Sequence, residues 1–169
     1  EGSPDIGGSR ASMCLMAAET LGIDYSQIRA QVGDTESTGF CNTTGGSRTT
    51  FATGMAVTQA CEDVLRECKK RAALTWGVDE DMVEWEDGRA IPGPGVNADV
   101  EALSLAELAG KAGKTGGPIM GSASLNAQGA GESFSVNLTD VKVDVETGKV
   151  DVLSFTAIQD AGTAIHPSY

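Results

Sequence analysis

The first pattern in the chain is a run of apolar residues at helical spacing near its start. Met13, Met16 and Leu21 recur at intervals that predict a helix with a wide buried face. Gly22 follows, and glycine is common just past a helix end. Ser9 precedes the run and is the candidate N-cap, because its hydroxyl can accept a hydrogen bond from the free amides of the first turn.

A second, longer apolar stripe follows the segment Gly45-Gly46-Ser47-Arg48-Thr49-Thr50. It predicts a helix that continues to about Ala73. The stripe consists of Phe51, Met55, Cys61, Val64, Leu65 and Cys68. The last two cysteines lie on one side of this helix, so we expect buried free thiols there rather than a disulfide.

Shorter patterns predict strands, turns and one further helix. Ile28 to Val32 alternates enough to predict a strand. Val83 to Ile91 alternates around an Asp-Gly pair, which is typical of a hairpin. Ser104 and Glu107 form a capping-box pattern ahead of a short helix, Leu105 to Lys111. The residues from Lys111 to Pro118 are predicted to form a loop.

The last third of the chain alternates apolar and polar residues and predicts a long antiparallel hairpin, Phe134 to Gln159. Glu146-Thr147-Gly148 is its turn, and a slip near Leu153 indicates a β-bulge. Together the patterns predict an α+β fold, with helices packed on a mixed sheet whose longest part is this C-terminal hairpin. We expect one domain over residues 1–169, with 78–118 as a candidate insert or lobe, and interpret the chain as a piece of a longer polypeptide.

Composition and charge remove several classes of partner. There are 12 basic and 24 acidic residues, a net charge of −12, and the basic residues are scattered, so neither nucleic acid nor an anionic membrane is an expected partner. No apolar run is long enough to span a bilayer. The four cysteines lack zinc or redox spacing, which favours a reducing, cytoplasmic location. Glycine accounts for 22 of the 169 residues, which is above the typical ~7%. This excess predicts loops in which the backbone comes close to another group.

Several familiar catalytic and binding motifs are excluded. Gly113-Lys114-Thr115 has the end of a phosphate loop, but Leu108 stands where that motif needs glycine. His166 is the only histidine in the chain. No other histidine can form a catalytic pair, and a zinc site of the usual kind lacks ligands. Glu132 is a candidate general base, although a solvated surface carboxylate is the simpler interpretation. We therefore assign no catalytic residue and no metal ligand.

Two Gly-Ser-Arg turns remain, each at the predicted start of a helix: Gly8-Ser9-Arg10 and Gly46-Ser47-Arg48. Glycine exposes backbone amides, hydroxyls donate hydrogen bonds, the helix end is partially positive, and arginine can fork onto phosphate oxygens. Capping explains each turn taken alone. Two such turns in an acidic chain predict a site for an anionic cofactor.

Four segments resemble the large, molybdopterin-binding subunit of the xanthine dehydrogenase and aldehyde oxidase family. Gly2 to Ser12 and Thr44 to Gly54 are similar to its two cofactor loops. Asp144 to Val150 and Ile158 to Pro167 are similar to its hairpin and the following loop. The resemblance spans nearly the whole chain and is weakest from Val78 to Gly117.

The resemblance implies part of the cofactor cradle of a molybdenum hydroxylase, which oxidises a C–H bond of a heteroaromatic or aldehyde substrate with water-derived oxygen. The implied cofactor is molybdopterin, or molybdopterin cytosine dinucleotide, with 2Fe-2S clusters and FAD on partner domains or subunits. The other implied partners are a small-molecule substrate and, as a candidate assembly, a second copy in a homodimer. The residues implied to hold the cofactor are Gly7, Gly8, Ser9, Arg10, Ser12, Gly45, Gly46, Ser47, Arg48, Thr49, Thr50, Asp160 and His166.

The chain also departs from the family. Gly7-Gly8-Ser9-Arg10 replaces the Gly-Gln-Gly of many relatives, so no role of that glutamine is carried over. The family's catalytic glutamate lies beyond this stretch, and Glu132 precedes the hairpin and does not correspond to it. The chain alone is expected to be inactive and to bind the pterin weakly or not at all. The alternatives are a non-catalytic acidic assembly domain that docks through the hairpin edge, and nucleotide binding at Lys114.

Overall fold

The computed structural model of the chain describes residues 7–33, 36, 38–41, 43–45, 48–96, 99–128 and 131–166. They form two compact units, which meet in the sequence near Gln128 and are described here one at a time. Helices and antiparallel strands both occur, so the predicted α+β class is confirmed. Within these residues, every helix is too short or too polar to cross a membrane.

Helix α1 extends from Ser9 to Leu21 and buries one face, as its apolar spacing predicts. Gly22 ends the helix in the left-handed conformation, with a φ of 68°. The predicted N-cap was wrong by one residue. Gly8, with a φ of 82°, occupies the cap position, while Ser9 is already helical. A positive φ suits glycine and not serine, which explains the earlier start.

The longer stripe forms a π-turn, Thr49–Thr53, and then helix α2, Gly54–Trp76. The helix passes the predicted end near Ala73, and Gly77 terminates it by donating its amide to the Ala73 carbonyl at 2.8 Å. A π-turn leaves one additional backbone group without a regular helical partner, and such turns are frequent at functional sites. The stripe alone does not distinguish this turn from a regular helix.

A three-stranded antiparallel sheet packs on the C-terminal half of α2. Its strands are β1 (Val83–Glu86), β2 (Arg89–Pro92) and β3 (Leu103–Ser104), in that spatial order. The predicted hairpin is therefore confirmed, whereas β3 is too short to leave a periodic signal. The core between helix and sheet consists of Cys68, Ala72, Ala73, Val83, Ala90, Leu103 and Leu108.

Helix α3 (Leu105–Gly110) begins with the predicted capping box. Ser104 Oγ accepts from the Glu107 amide at 3.3 Å, and the Glu107 carboxylate accepts from the Ser104 amide at 2.7 Å. The predicted loop after it was partly wrong, because Ala112–Thr115 forms a short helix, α4. Arg71 of α2 donates to the Gly116 carbonyl at 3.2 Å, which attaches the end of α4 to α2.

Beyond α4 the chain is extended and crosses α2 very closely. A Cβ at Gly121 would overlap the Ala60 carbonyl oxygen and lie 2.8 Å from the Val64 amide, so only glycine fits there. The next residue, Ser122, donates its amide to Asp63 at 3.1 Å. This hydrogen bond and the Asp63–Arg66 pair lower the pKa of the Asp63 carboxyl. The glycine and the carboxylate together hold the segment on the helix.

The second unit is dominated by the predicted hairpin, formed by β4 (Ser135–Val143) and β5 (Val150–Gln159). The predicted bulge is confirmed, since Asp140 pairs with Ser154 but Val141 pairs with Val152, which leaves Leu153 unpaired. This one-residue slip places valine opposite valine at Val141/Val152 and at Val143/Val150. Residues that pair directly across the two strands have their side chains on the same face of the hairpin. Val136 therefore lies on one face, whereas the valine pairs near the turn lie on the opposite face.

Two further expectations were wrong. Ile28 to Val32 is irregular backbone after a 3-10 turn, Tyr25–Gln27, because an alternating segment without a partner strand gains no ladder hydrogen bonds. The expected mixed sheet is instead two separate antiparallel sheets among the described residues, and the long hairpin is not part of the sheet that packs on α2. Residues 78–118 lie in the first unit, so a separate lobe there stays an interpretation of the sequence.

Candidate functional site

Helix α1 packs against helix α2. Midway along α1, the Met16 side chain lies against Gly54, the first residue of α2. At the end of α1, the Leu21 carbonyl accepts from Trp85 Nε1 at 2.9 Å. Trp85 packs on the core cluster that contains Cys68, far along α2. These contacts attach α1 to the start of α2 and to the helix–sheet core.

Arg10 and Arg48 each lie at the start of a helical segment. Arg10 lies six positions before Met16, and Arg48 lies six positions before Gly54, so both arginines precede the contact between the helices by the same number of residues. Helix α1 also contacts the π-turn directly. That both turns serve one site stays a prediction from the sequence.

The charge around these helix starts is unusual for so acidic a chain. Neither α1 nor the π-turn with α2 carries an acidic residue in its first turn. Acidic side chains are favoured at helix N-termini, and α3 does have one, Glu107, in its capping box. The two starts near Arg10 and Arg48 therefore keep their partial positive charge, as an anion-binding site requires.

Two threonine hydroxyls beside the second turn are buried and unsatisfied. Thr49 is 4% exposed, and its Oγ1 has no hydrogen-bond partner among the described residues. Thr44 Oγ1 is likewise buried without a partner in that part of the chain. A buried hydroxyl without a hydrogen bond costs free energy, so a native structure normally supplies a partner. Both hydroxyls fit a ligand that brings oxygen or nitrogen atoms to this loop.

The glycines of both turns leave the backbone open. A Cβ added at Gly7, Gly8 or Gly45 would meet no atom within 4 Å. Arg10 is exposed, whereas Arg48 is half-buried, with its Nη1 3.8 Å from Cys41 Sγ. Among the described residues there is accordingly room for a ligand over this backbone, close in the sequence to the guanidinium groups of Arg10 and Arg48.

The remaining predicted site residues are distributed as follows. Ser12 is half-buried on α1 and Thr50 is exposed on the π-turn, while Gly46 and Ser47 lie outside the described residues. Asp160 and His166 lie in the second unit, where Asp160 accepts from the Gly162 amide at 2.9 Å, and their role stays a prediction. Thr44 was missed as a site residue, although its place directly before Gly45 was a usable signal.

Burial keeps the two thiols of α2 in their protonated form. All four are free thiols; Cys14 and Cys68 are buried, and Cys41 and Cys61 are half-buried. Burial, followed by the neighbouring Glu67 carboxylate, raises the pKa of the Cys68 thiol to about 11, and burial also raises that of Cys61. A protonated thiol is a poor nucleophile and metal ligand. Within the described segments, no group of three or more His, Cys, Asp or Glu side chains is arranged to hold a metal ion.

Sequence comparison identifies the family of the chain. The family model described as a molybdopterin cofactor-binding domain matches residues 1–169. The chain belongs to this molybdopterin cofactor-binding family. The resemblance noted from the four segments is thereby confirmed.

The relatives of this molybdopterin-binding domain are much longer than the chain. The carbon monoxide dehydrogenase large chain of Hydrogenophaga pseudoflava is 28% identical over 166 residues, which cover 95% of this chain and 20% of that protein. A crystal structure of the Cu,Mo-CO dehydrogenase in its carbon monoxide reduced state superimposes with a TM-score of 0.79 at 24% identity, covering 99% of this chain and 21% of the other. The chain thus spans about a fifth of the length of these relatives.

Two further structures share the fold. Reconstituted CO dehydrogenase from Oligotropha carboxidovorans has a TM-score of 0.76 at 23% identity, and quinoline 2-oxidoreductase from Pseudomonas putida 86 has 0.72 at 21%. The matches cover 99% of this chain in each case, and 21% and 22% of the respective relatives. Similarity at this identity establishes the common fold, and the functional argument rests on the family and on the loops.

Proposed function

We propose that this domain forms part of the molybdenum cofactor cradle of a molybdenum-dependent oxidoreductase and that the starts of its first two helical segments bind the anionic part of the pterin. The observation that carries the proposal is the buried Thr49 hydroxyl, which directly follows Arg48 in the sequence and has no hydrogen-bond partner among the described residues. A phosphate-bearing pterin has the acceptor oxygens and the negative charge that such a site needs.

The residues of the chain have distinct tasks in this proposal. The guanidinium groups of Arg10 and Arg48 form charge-assisted hydrogen bonds to phosphate oxygens. The hydroxyls of Thr44 and Thr49 donate to polar atoms of the cofactor and lose the penalty of burial without a partner. Gly45 allows the cofactor close to the backbone amides, since a side chain there would fill the open space.

The bound cofactor supplies the redox chemistry, in which water-derived oxygen is added to a carbon atom of the substrate. We propose a C–H bond of a heteroaromatic ring or an aldehyde as the site of oxidation. Carbon monoxide is the second candidate substrate, because the 28% identical relative is a carbon monoxide dehydrogenase. Electrons then leave through 2Fe-2S clusters and FAD on partner domains or subunits, in a cytoplasmic enzyme. The cofactor is molybdopterin or its cytosine dinucleotide form.

The test compares two arginine substitutions in the complete enzyme that contains this domain. Arg48→Ala removes charge-assisted hydrogen bonds worth about 1.5–3 kcal/mol each, so pterin and molybdenum retention should fall by about tenfold or more. Arg29→Ala is the matched control, because Arg29 is exposed on the irregular segment after α1. Molybdenum is measured by mass spectrometry and pterin by fluorescence after oxidation. Equal molybdenum and pterin contents in both variants would contradict the proposed cradle.

The substrate class needs a separate measurement on the unmodified enzyme. Dye reduction is followed with quinoline, benzaldehyde and carbon monoxide as the only electron donors. Reduction with either organic donor supports the hydroxylase proposal, while reduction with carbon monoxide alone identifies the second candidate.

A further inference from the structure

The contact between α1 and α2 is tightest where the Met16 thioether meets the Gly54 backbone. A Cβ added to Gly54 would lie 2.5 Å from Met16 Sδ and 2.8 Å from its Cε. Gly54 is buried and is the first residue of α2 after the π-turn. Any side chain at this position must therefore displace Met16 or separate the two helices.

The two residues of this contact lie at the same distance in sequence from the two cofactor turns. Met16 and Gly54 each lie six positions after an arginine at a helix start, Arg10 and Arg48. Because α1 contacts both α2 and the π-turn that follows Arg48, we expect a change in helix separation at this contact to change the distance between the two helix starts. Cofactor binding depends on this distance because both starts must contact one rigid anion.

We propose that Met16 and Gly54 are positioning residues whose contact sets the spacing of the two cofactor loops, and through it the affinity for the pterin. The inference rests on the proposed function, since it assumes that both loops hold one cofactor. Neither residue needs to touch the cofactor. Methionine suits this position, because its unbranched thioether fills an irregular gap against a bare backbone.

The flexibility of methionine determines the choice of variants. Gly54→Ala adds one methyl group that a rotation of Met16 can accommodate, so it is a weak test. Gly54→Leu adds a side chain too large for that adjustment and forces the helices apart. Met16→Ala removes the thioether and lets the helices move closer. The double variant M16A/G54L exchanges a large residue on one helix for a large residue on the other and so approximately restores the spacing.

The experiment is a double-mutant cycle in the complete cofactor-containing enzyme. Molybdenum and pterin per subunit are measured after purification, and the pterin off-rate is measured at a temperature where circular dichroism shows every variant folded. Gly110→Leu is the control, because this exposed glycine receives the same substitution where a Cβ meets nothing within 4 Å. Activity is not used as a readout.

We expect Gly54→Leu to retain less than a tenth of the parent's pterin and Met16→Ala to accelerate pterin release at least threefold. The double variant should regain at least half of the parent's pterin, while Gly110→Leu should match the parent. Losses that add in the double variant, or unchanged pterin in both single variants, would overturn the inference. If Gly54→Leu does not fold, Met16→Ala and its rescue by Gly54→Ala provide the same comparison.

Failure of this inference is distinguishable from failure of the proposed function. When Arg48→Ala lowers the pterin content but the spacing variants do not, the cradle stands and the positioning role is wrong. When Arg48→Ala also leaves the pterin content unchanged, the proposed function fails first. A purely structural role would lower the melting temperature of the cofactor-free protein in proportion to the pterin loss.

Discussion

Truncation of Leu108 to alanine is the most direct perturbation of the helix–sheet core. Leu108 has no exposed surface and is the one buried residue of the six-residue helix α3. It lies in the cluster with Cys68, Ala72, Val83 and other residues of α2 and the sheet. Its removal therefore leaves a cavity and weakens the attachment of α3, in which only the partly buried Leu105 would still pack against this cluster.

The expected cost follows from its burial. Burying a leucine side chain contributes about 1.5–3 kcal/mol, and a cavity adds to the loss, so we expect Leu108→Ala to lower the free energy of unfolding by about 3 kcal/mol. With an m value of about 2 kcal/mol per molar urea, the midpoint should fall by roughly 1.5 M. This loss is a large part of a typical domain's ~5–15 kcal/mol stability.

The assay is urea unfolding of the purified chain followed by tryptophan fluorescence. The chain has two tryptophans, and both Trp76 and Trp85 pack against this core. Leu74→Ala is the matched control, since Leu74 lies on the same unit with 60% of its surface exposed and should cost less than about 0.5 kcal/mol. Equal midpoint shifts in the two variants, or a shift below about 0.5 M for Leu108→Ala, would refute the assignment of Leu108 to the core.

Two smaller predictions concern the thiol in the core and the cap of α3. Because burial raises the folded-state pKa of Cys68 from its ordinary 9.0 to about 11, the unfolded state loses its proton first. The contribution of this thiol to stability is therefore constant well below pH 9 and falls as the pH rises toward 11. We expect Cys68→Ala to flatten this fall by on the order of 1–2 kcal/mol in urea titrations across that range; identical pH profiles would contradict the burial argument. Ser104→Ala removes the capping hydrogen bond of α3 and should cost about 1 kcal/mol, measured by the urea midpoint, whereas Ser124→Ala on the exposed extended segment should leave it unchanged.

The elements that the sequence predicted well are those specified by local chemistry. The capping box at Ser104, the Asp-Gly hairpin turn and the bulge at Leu153 each depend on neighbouring residues or on a break in a strict alternation. The alternation of apolar and polar residues in the second strand changes phase at Leu153. This change indicates the bulge, which places valines opposite valines across the hairpin. Such features require no knowledge of distant contacts.

The errors arose where distant contacts decide the conformation. Ile28 to Val32 alternates like a strand but has no partner to pair with, and β3 exists only because β2 is beside it. Helix α4 follows a loop-like composition and is attached to α2 by Arg71 through Gly116. The π-turn at Thr49 is indistinguishable from a regular helix in its apolar spacing.

For the candidate site too, the sequence predicted the local motifs but not the features that depend on distant contacts. The two Gly-Ser-Arg turns were visible as local motifs, and the sequence could suggest that both bind an anion. The packing of α1 on α2 and on the π-turn depends on distant contacts, which no local pattern reveals. The buried hydroxyl of Thr44 was missed for the same reason, because burial depends on the surrounding structure.

The most direct test of the cradle is Thr49→Val in the complete enzyme. Valine has the shape of threonine without the hydroxyl, so removal of an unsatisfied buried hydroxyl should leave the melting temperature of the cofactor-free protein unchanged or raise it. Thr58→Val, nine positions further along α2, is the control. The account predicts that Thr49→Val lowers pterin per subunit severalfold while Thr58→Val does not. A Thr49→Val enzyme with the parent's pterin content would contradict it.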